Sequence, residues 1–159
     1  MSAPQPSGGL WRQVLVTTDL SPSAEPALEA AAELARGSAA RATVLNVLDF
    51  STLGESAVLR ETLVRLEREV RTHLTPRLEE LAKRVFKDVP VQAAIVEGAG
   101  VAETVCRYAR EHGVDLIAIA THGRTGARRM LIGSVTERVV QRAPCDVLVV
   151  RSRPEPQGE

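Results

Sequence analysis

The residues best equipped for chemistry lie in one stretch, Leu116 to Val140, and what their types and spacing offer is a place to hold an anion. Leu116 to Ala120 is a short continuous apolar run of the kind a buried parallel strand shows. It breaks at Thr121-His122-Gly123 into a loop that carries Arg124, Gly126, Arg128 and Arg129. Gly133 and Ser134 then stand directly before a helical pattern, and Ser134 with Glu137 three residues on has the form of a capping box. A helix start preceded by glycines exposes free backbone N–H groups and lets a ligand come close, which suits a phosphate. Taken alone, the stretch also fits a well-capped helix behind a loop whose arginines serve solubility.

The elements that must position this stretch read as alternating strands and helices. Val14-Leu15-Val16 with Thr17 forms a buried strand ending at Thr18-Asp19, and Ser21-Pro22 opens an Ala-rich helix to about Arg36 that Gly37 stops. Ala42 to Leu48 is the second strand, followed by Asp49 to Ser56, a loop with the composition of a lid. Leu59, Leu63, Leu66, Val70, Leu74, Leu78, Leu81 and Val85 recur at helical spacing, with Pro76 placed to kink or divide the helix they define. Val91 to Val96 is a third strand, Val101 to His112 a helix closed by Gly113, and Val147 to Val150 a fifth strand after the helix that runs to about Gln141.

This pattern predicts an α/β fold: a single doubly wound domain, a five-stranded parallel sheet in the order 3-2-1-4-5, with about four helices on both faces. Residues 1–10 are expected to be a disordered start, 11–152 the domain and 153–159 a flexible tail. Ligands of such sheets sit beyond the carboxyl ends of the strands where the winding reverses. With strands one and four as neighbours, Thr18-Asp19 and the Thr121 to Gly126 loop meet at one crevice. This convergence favours the binding reading.

Other assignments fare worse. The 159 residues carry 20 basic and 20 acidic side chains, with no Lys/Arg cluster interleaved with aromatics, which argues against a nucleic-acid surface. No apolar run approaches the roughly 20 residues of a membrane span, and Met1 to Gly9 lacks the regions of a signal peptide. Cys106 and Cys145 have no metal-ligand spacing and read as reduced structural thiols of a cytoplasmic protein. His73 and the Glu79-Glu80 pair read as solvated helix residues. The T-T-D-L-S-P turn after strand one excludes the dinucleotide fingerprint, and no P-loop motif occurs. A phospho-acceptor receiver domain would use Asp19 and Thr121, but the acid pair is absent and Arg151 stands where a lysine is wanted.

The run Ala120, two residues, Gly123, nine residues, then Gly133-Ser134-Val135-Thr136 resembles the ATP-binding signature of the universal stress protein family. The resemblance extends from Val14-Leu15-Val16-Thr17-Thr18-Asp19 to Asp146-Val147-Leu148-Val149-Val150, and Ala120 stands where the family has its first glycine. It implies ATP or another adenine nucleotide as ligand, with Mg2+ or Mn2+ bridging the phosphates. Asp19, beside Thr18, would contact adenine or ribose, Ala42 would present backbone to adenine, and Ala120 would lie near the ribose. Gly123, Gly133, Ser134, Val135 and Thr136 would hold phosphates, with Thr121, His122 and Arg124 alongside. His122 reads as a positional contact, since no neighbouring carboxylate orients it as a base.

The resemblance implies a nucleotide-controlled regulatory module of the stress response. Two alternatives use the same fold: a slow ATPase or self-phosphorylating protein with Ser134 as acceptor, and an interaction protein that holds no nucleotide. Val147, Leu148, Val149 and Val150 form an apolar edge strand, which predicts a homodimer through that edge.

Overall fold

The computed structural model describes residues 9–51, 57–121 and 132–151, the side chains of 57–60 excepted. Its strands are β1 (Gln13–Thr17), β2 (Arg41–Leu48), β3 (Val91–Glu97), β4 (Leu116–Ala120) and β5 (Asp146–Val150). All neighbours pair in parallel, in the order β3-β2-β1-β4-β5. Between them run α1 (Glu25–Ser38), α2 (Ala57–Val85), α3 (Val101–Glu111) and α4 (Ser134–Arg142). The predicted order is the observed one, and the winding reverses between β1 and β4.

Strand alternation divides the core into two layers. Val14, Val16, Ala42, Val44, Ala118 and Ala120 face α1 and α2, where Leu28, Leu78 and Phe86 close the packing. Leu15, Leu45, Ile117 and Ile119 point the other way, against Val105 of α3 and Val139 of α4. The central strands are apolar on both faces because both are covered. Leu15, Leu45 and Ile117 are each fully buried, a contribution of roughly 1.5–3 kcal/mol per side chain.

The structure corrects two helix boundaries read from the sequence. Gly37 lies inside α1, and the stop is Ala39, which takes the left-handed conformation (φ 51°). Its N–H bonds back to Ala35 and Arg36, while the N–H of buried Ala40 reaches Ala35 O at 2.8 Å. These bonds offset the roughly 1–2 kcal/mol cost of a left-handed alanine. Pro76 does not divide α2, which is one helix from Ala57 to Val85. Pro76 and Thr72, whose carbonyl loses its partner, are both exposed, and the buried Leu78, Ala82 and Phe86 fix the segment beyond. Gly113, at φ 61°, follows α3 as expected.

The base of the sheet is tied by carboxylates. Asp115 accepts the N–H groups of Arg12 and Gln13, and Asp146 accepts Trp11 Nε1–H at 3.2 Å. The carboxyl ends of the strands form the opposite rim.

Candidate functional site

At the rim, β1 runs into a tight turn before α1. The Thr18 N–H donates to Leu45 O at 2.9 Å, which carries the ladder one step beyond β1. Its buried hydroxyl accepts the N–H of Leu20, a non-glycine residue with φ 63°. Asp19 Oδ1 accepts both the N–H and the hydroxyl of Ser21. The turn is therefore folded around its own side chains, and the half-buried Asp19 carboxylate is fixed at the mouth of the crevice. A left-handed Leu20 costs about 1–3 kcal/mol, and strain of this size clusters at working sites.

Across the crevice, α4 is latched to the end of β4. The Gly133 N–H donates to Thr121 O at 2.8 Å, and Thr136 Oγ1 donates to Ala120 O at 2.7 Å. Thr121 N–H in turn donates to Val150 O at 2.8 Å. The chain therefore leaves β4 at Thr121 and returns beside it at Gly133. His122, Gly123, Arg124, Gly126 and the other arginines of the loop lie outside the described residues, as does part of the Asp49 to Ser56 loop.

The expected capping box is not formed. Gly133 is the N-cap and Ser134 the first helical residue, with no side-chain bond capping the helix. The cause is the latch: Gly133, in extended conformation (φ −63°, ψ 151°), sits against Thr121 O, which shifts the helix start by one residue. The first intrahelical bond runs from Glu137 N–H to Gly133 O at 2.9 Å. The amides of Ser134, Val135 and Thr136 precede it and have no intrahelical acceptor. A bare helix start with its positive dipole end outward is suited to an anion. Thr136 is 3% exposed with its hydroxyl proton given to Ala120, so its contribution at the rim is its backbone N–H.

One other expectation changes. Ala42 does not reach the crevice: it pairs with Val14 and Val91 at the amino end of β2, is 2% exposed, and donates its N–H to Pro90 O. At about 3.3 Å per residue the rim lies some 13 Å further along the strand. Ala120, 7% exposed, packs in the layer facing α1 and α2 beside Val16 and Ala118. Its methyl belongs to the core.

The rim residue missed by the sequence reading is Asn46, level with Thr18 by the register that pairs Thr17 with Leu45. Its Nδ2 donates to Thr18 O at 2.9 Å, while Oδ1 is buried with no partner among the described residues. A buried acceptor left open costs about 1–3 kcal/mol. The signal was a lone amide in the apolar run A-T-V-L-N-V-L. Asp49, just beyond, ties the rim together: its carboxylate accepts Ser51 N–H, Ser51 Oγ–H and, at 3.0 Å, Gly100 N–H. The Ser51 hydroxyl bond first, then the backbone bonds, hold its pKa below the usual carboxylate value against a small desolvation.

Elsewhere the surface is structural. His73 is exposed with Nδ1 against Glu69 O, and Glu79 and Glu80 are exposed. Cys106 and Cys145 are free thiols, both shifted upward by burial first of all, Cys145 to about 11. Among the described residues no three metal-ligating side chains cluster, and no helix is long and apolar enough to cross a membrane. β5 lies at the sheet edge with Val147, Leu148, Val149 and Val150 half-buried.

Fold and rim together define a doubly wound α/β domain whose β1 turn and bare α4 start stand at its switch point. Residues 10–151 match the model of the universal stress protein family, and the chain belongs to that family. A family protein of Staphylococcus haemolyticus is 32% identical over 147 residues, covering 92% of this chain and 88% of its own. The solved structure of the universal stress protein UspA from Lactobacillus plantarum superposes with a TM-score of 0.79 at 29% identity, covering 88% of this chain and 97% of that one. A universal stress protein solved in complex with cAMP shares the fold, with a TM-score of 0.58 at 21% identity over 90% of this chain and 98% of that one.

Proposed function

We propose that this chain is a cytoplasmic, ATP-binding regulatory module of the stress response, whose crevice takes the nucleotide between Asp19 and the start of α4. The observation that carries the reading is the bare α4 start, latched to β4 by Gly133 and Thr136 next to the β1 turn. The residues present suit the ligand. The amides of Ser134, Val135 and Thr136 would receive phosphate oxygens, and the Asp19 carboxylate suits ribose hydroxyls. The open Oδ1 of Asn46 gives the crevice an acceptor that an amine on the base would satisfy. Mg2+ or Mn2+, arriving with the nucleotide, would offset phosphate charge, with Thr18, Thr121, His122, Gly123 and Arg124 completing the surroundings.

The same reading makes the chain a homodimer through β5, since a half-exposed apolar edge invites pairing with a second copy.

Calorimetric titration with Mg-ATP tests the site, using Ser134→Pro and Ser134→Ala as a pair. Proline is favoured at the first helical position, and Gly133 already has the extended conformation that a following proline requires. Ser134→Pro therefore deletes one amide donor while keeping the helix. A charge-assisted bond of about 1.5–3 kcal/mol predicts roughly 10- to 100-fold weaker binding, with Ser134→Ala much closer to wild type. Equal affinity in wild type and Ser134→Pro would place the phosphates elsewhere. Steady-state phosphate release, expected at background, separates the module from a slow ATPase.

A further inference from the structure

We propose that Arg71 and Arg107 close the β3 edge of the sheet to a second copy of this chain, and that without them the molecule self-associates edge to edge through β3. The sheet has two outer strands, β3 and β5. At the two ends of β3, Pro90 O accepts from Ala42 N–H and Gly98 N–H donates to Leu48 O. The even-numbered positions therefore bond to β2, and the backbone groups of Val91, Ala93, Ile95 and Glu97 point away from the sheet. Such a row is a template for another strand. Two of its carbonyls are already taken. Arg71 Nη1 of α2 donates to Ile95 O at 2.8 Å, and Arg107 Nη2 of α3 donates to Glu97 O at 3.4 Å. Glu67 Oε1 holds the Arg71 guanidinium from behind at 2.6 Å. The two helices pack on opposite faces of the sheet, so the arginines reach one edge from both sides. Among the described residues no side chain bonds to the backbone of β5 in this way.

A second copy suits this edge. With a twofold axis at Ala94, two antiparallel β3 strands set Ala93 opposite Ile95 of the other copy and Val91 opposite Glu97 of the other copy. All four are outward-facing positions, so each pair exchanges backbone bonds. Half of those bonds end on Ile95 O or Glu97 O, the acceptors that the arginines occupy. The register opposes Glu97 to a valine and not to a second glutamate, which avoids like charges across the pair. Val64, 56% exposed, lies on the same face of α2 as Glu67 and Arg71, where the other copy would cover it. Pairing at β3 is a second twofold contact. Combined with the association through β5 proposed above it builds an open chain, whereas a closed β3 edge leaves the assembly finite.

The test is the mass in solution, read by light scattering over a range of concentrations. Arg71→Ala combined with Arg107→Ala is expected to raise it to about twice the wild-type value or more, increasing with concentration. Adding Ala93→Pro should return the wild-type mass, because the Ala93 N–H points outward and its loss spares the bonds to β2. A folded double variant with the wild-type mass would overturn the proposal. So would growth that persists after Ala93→Pro, since the association would then lie elsewhere. If removal of Arg71 leaves Glu67 and Glu97 in repulsion and the chain unfolded, Glu67→Gln is added to relieve it and the same masses are compared. Wild type that is itself monomeric would end the β5 reading and leave this comparison intact.

Discussion

The N–H of Gly133 donates to the carbonyl of Thr121 at 2.8 Å, so the two ends of the loop between β4 and α4 are fastened to one another. A second fastening, Thr136 Oγ1 to Ala120 O, lies beneath it in the buried layer. Together they set where α4 begins and therefore where its free amides point. Thr136→Val keeps the shape of the side chain and leaves the buried Ala120 carbonyl without its donor. We expect a loss of about 1–3 kcal/mol in urea unfolding, with Mg-ATP binding weakened as the helix start loosens. Unchanged stability would show that the hydroxyl bond contributes nothing to the latch.

Gly133 itself has little room. A Cβ there would meet Thr121 O at 3.1 Å, while its backbone angles are open to any residue. Gly133→Val should therefore lower both stability and nucleotide affinity by pushing the latch apart, the larger side chain costing more than Gly133→Ala. If the valine variant kept the unfolding midpoint and binding of wild type, close approach at this position would be unimportant.

The sheet order and all five strands were legible in the sequence because the central strands are apolar on both faces and the punctuating residues are sharp. The latch was less so. Ser134 and Glu137 have the spacing of a capping box, but a tertiary partner, the Thr121 carbonyl, decides which residue caps α4. Pro76 offered a kink or a division, and the division does not occur: local propensity counts its lost hydrogen bond and not the packing of Leu78 and Phe86 beyond it. The placement of Ala42 came from family resemblance, and the register that puts it opposite Val14 is a non-local property. Asn46 was visible only as an oddity in an apolar strand, since its meaning depends on the Thr18 carbonyl across the sheet.

Asp49 links the ends of β2 and β3 through Ser51 and Gly100. Its pKa is depressed below 3.8, so the contribution of this tie is fully present above that value and is lost as the pH falls through the lower folded value. Asp49→Asn should shift the unfolding midpoint at pH 7 and have progressively less effect in strong acid. Because the carboxylate is largely exposed, the effect should be small. A constant difference between the two proteins at all pH values would dissociate it from the charge.

In the clasp between α2 and β3, one carboxyl, Glu97, has the opposite dependence. Arg71 binds Glu67 Oε1 at 2.6 Å and Ile95 O at 2.8 Å, and the Glu67 carboxyl also meets that of Glu97. The Arg71 bond lowers the pKa of Glu67, whereas burial first and then the Glu67 charge raise that of Glu97, so the shared proton belongs to Glu97. A carboxyl with a raised folded pKa favours the native state below its unfolded value near 4.5, and that advantage disappears as the pH rises through the folded value. Glu97→Gln keeps a neutral hydrogen-bonding group there at every pH. It should therefore stabilise the protein at pH 7 by up to about 1 kcal/mol, a limit set by solvent exposure, and have little effect near pH 4. Thermal unfolding at the two pH values decides it, and a variant less stable than wild type at pH 7 would mean that ionised Glu97 serves the clasp through Arg71.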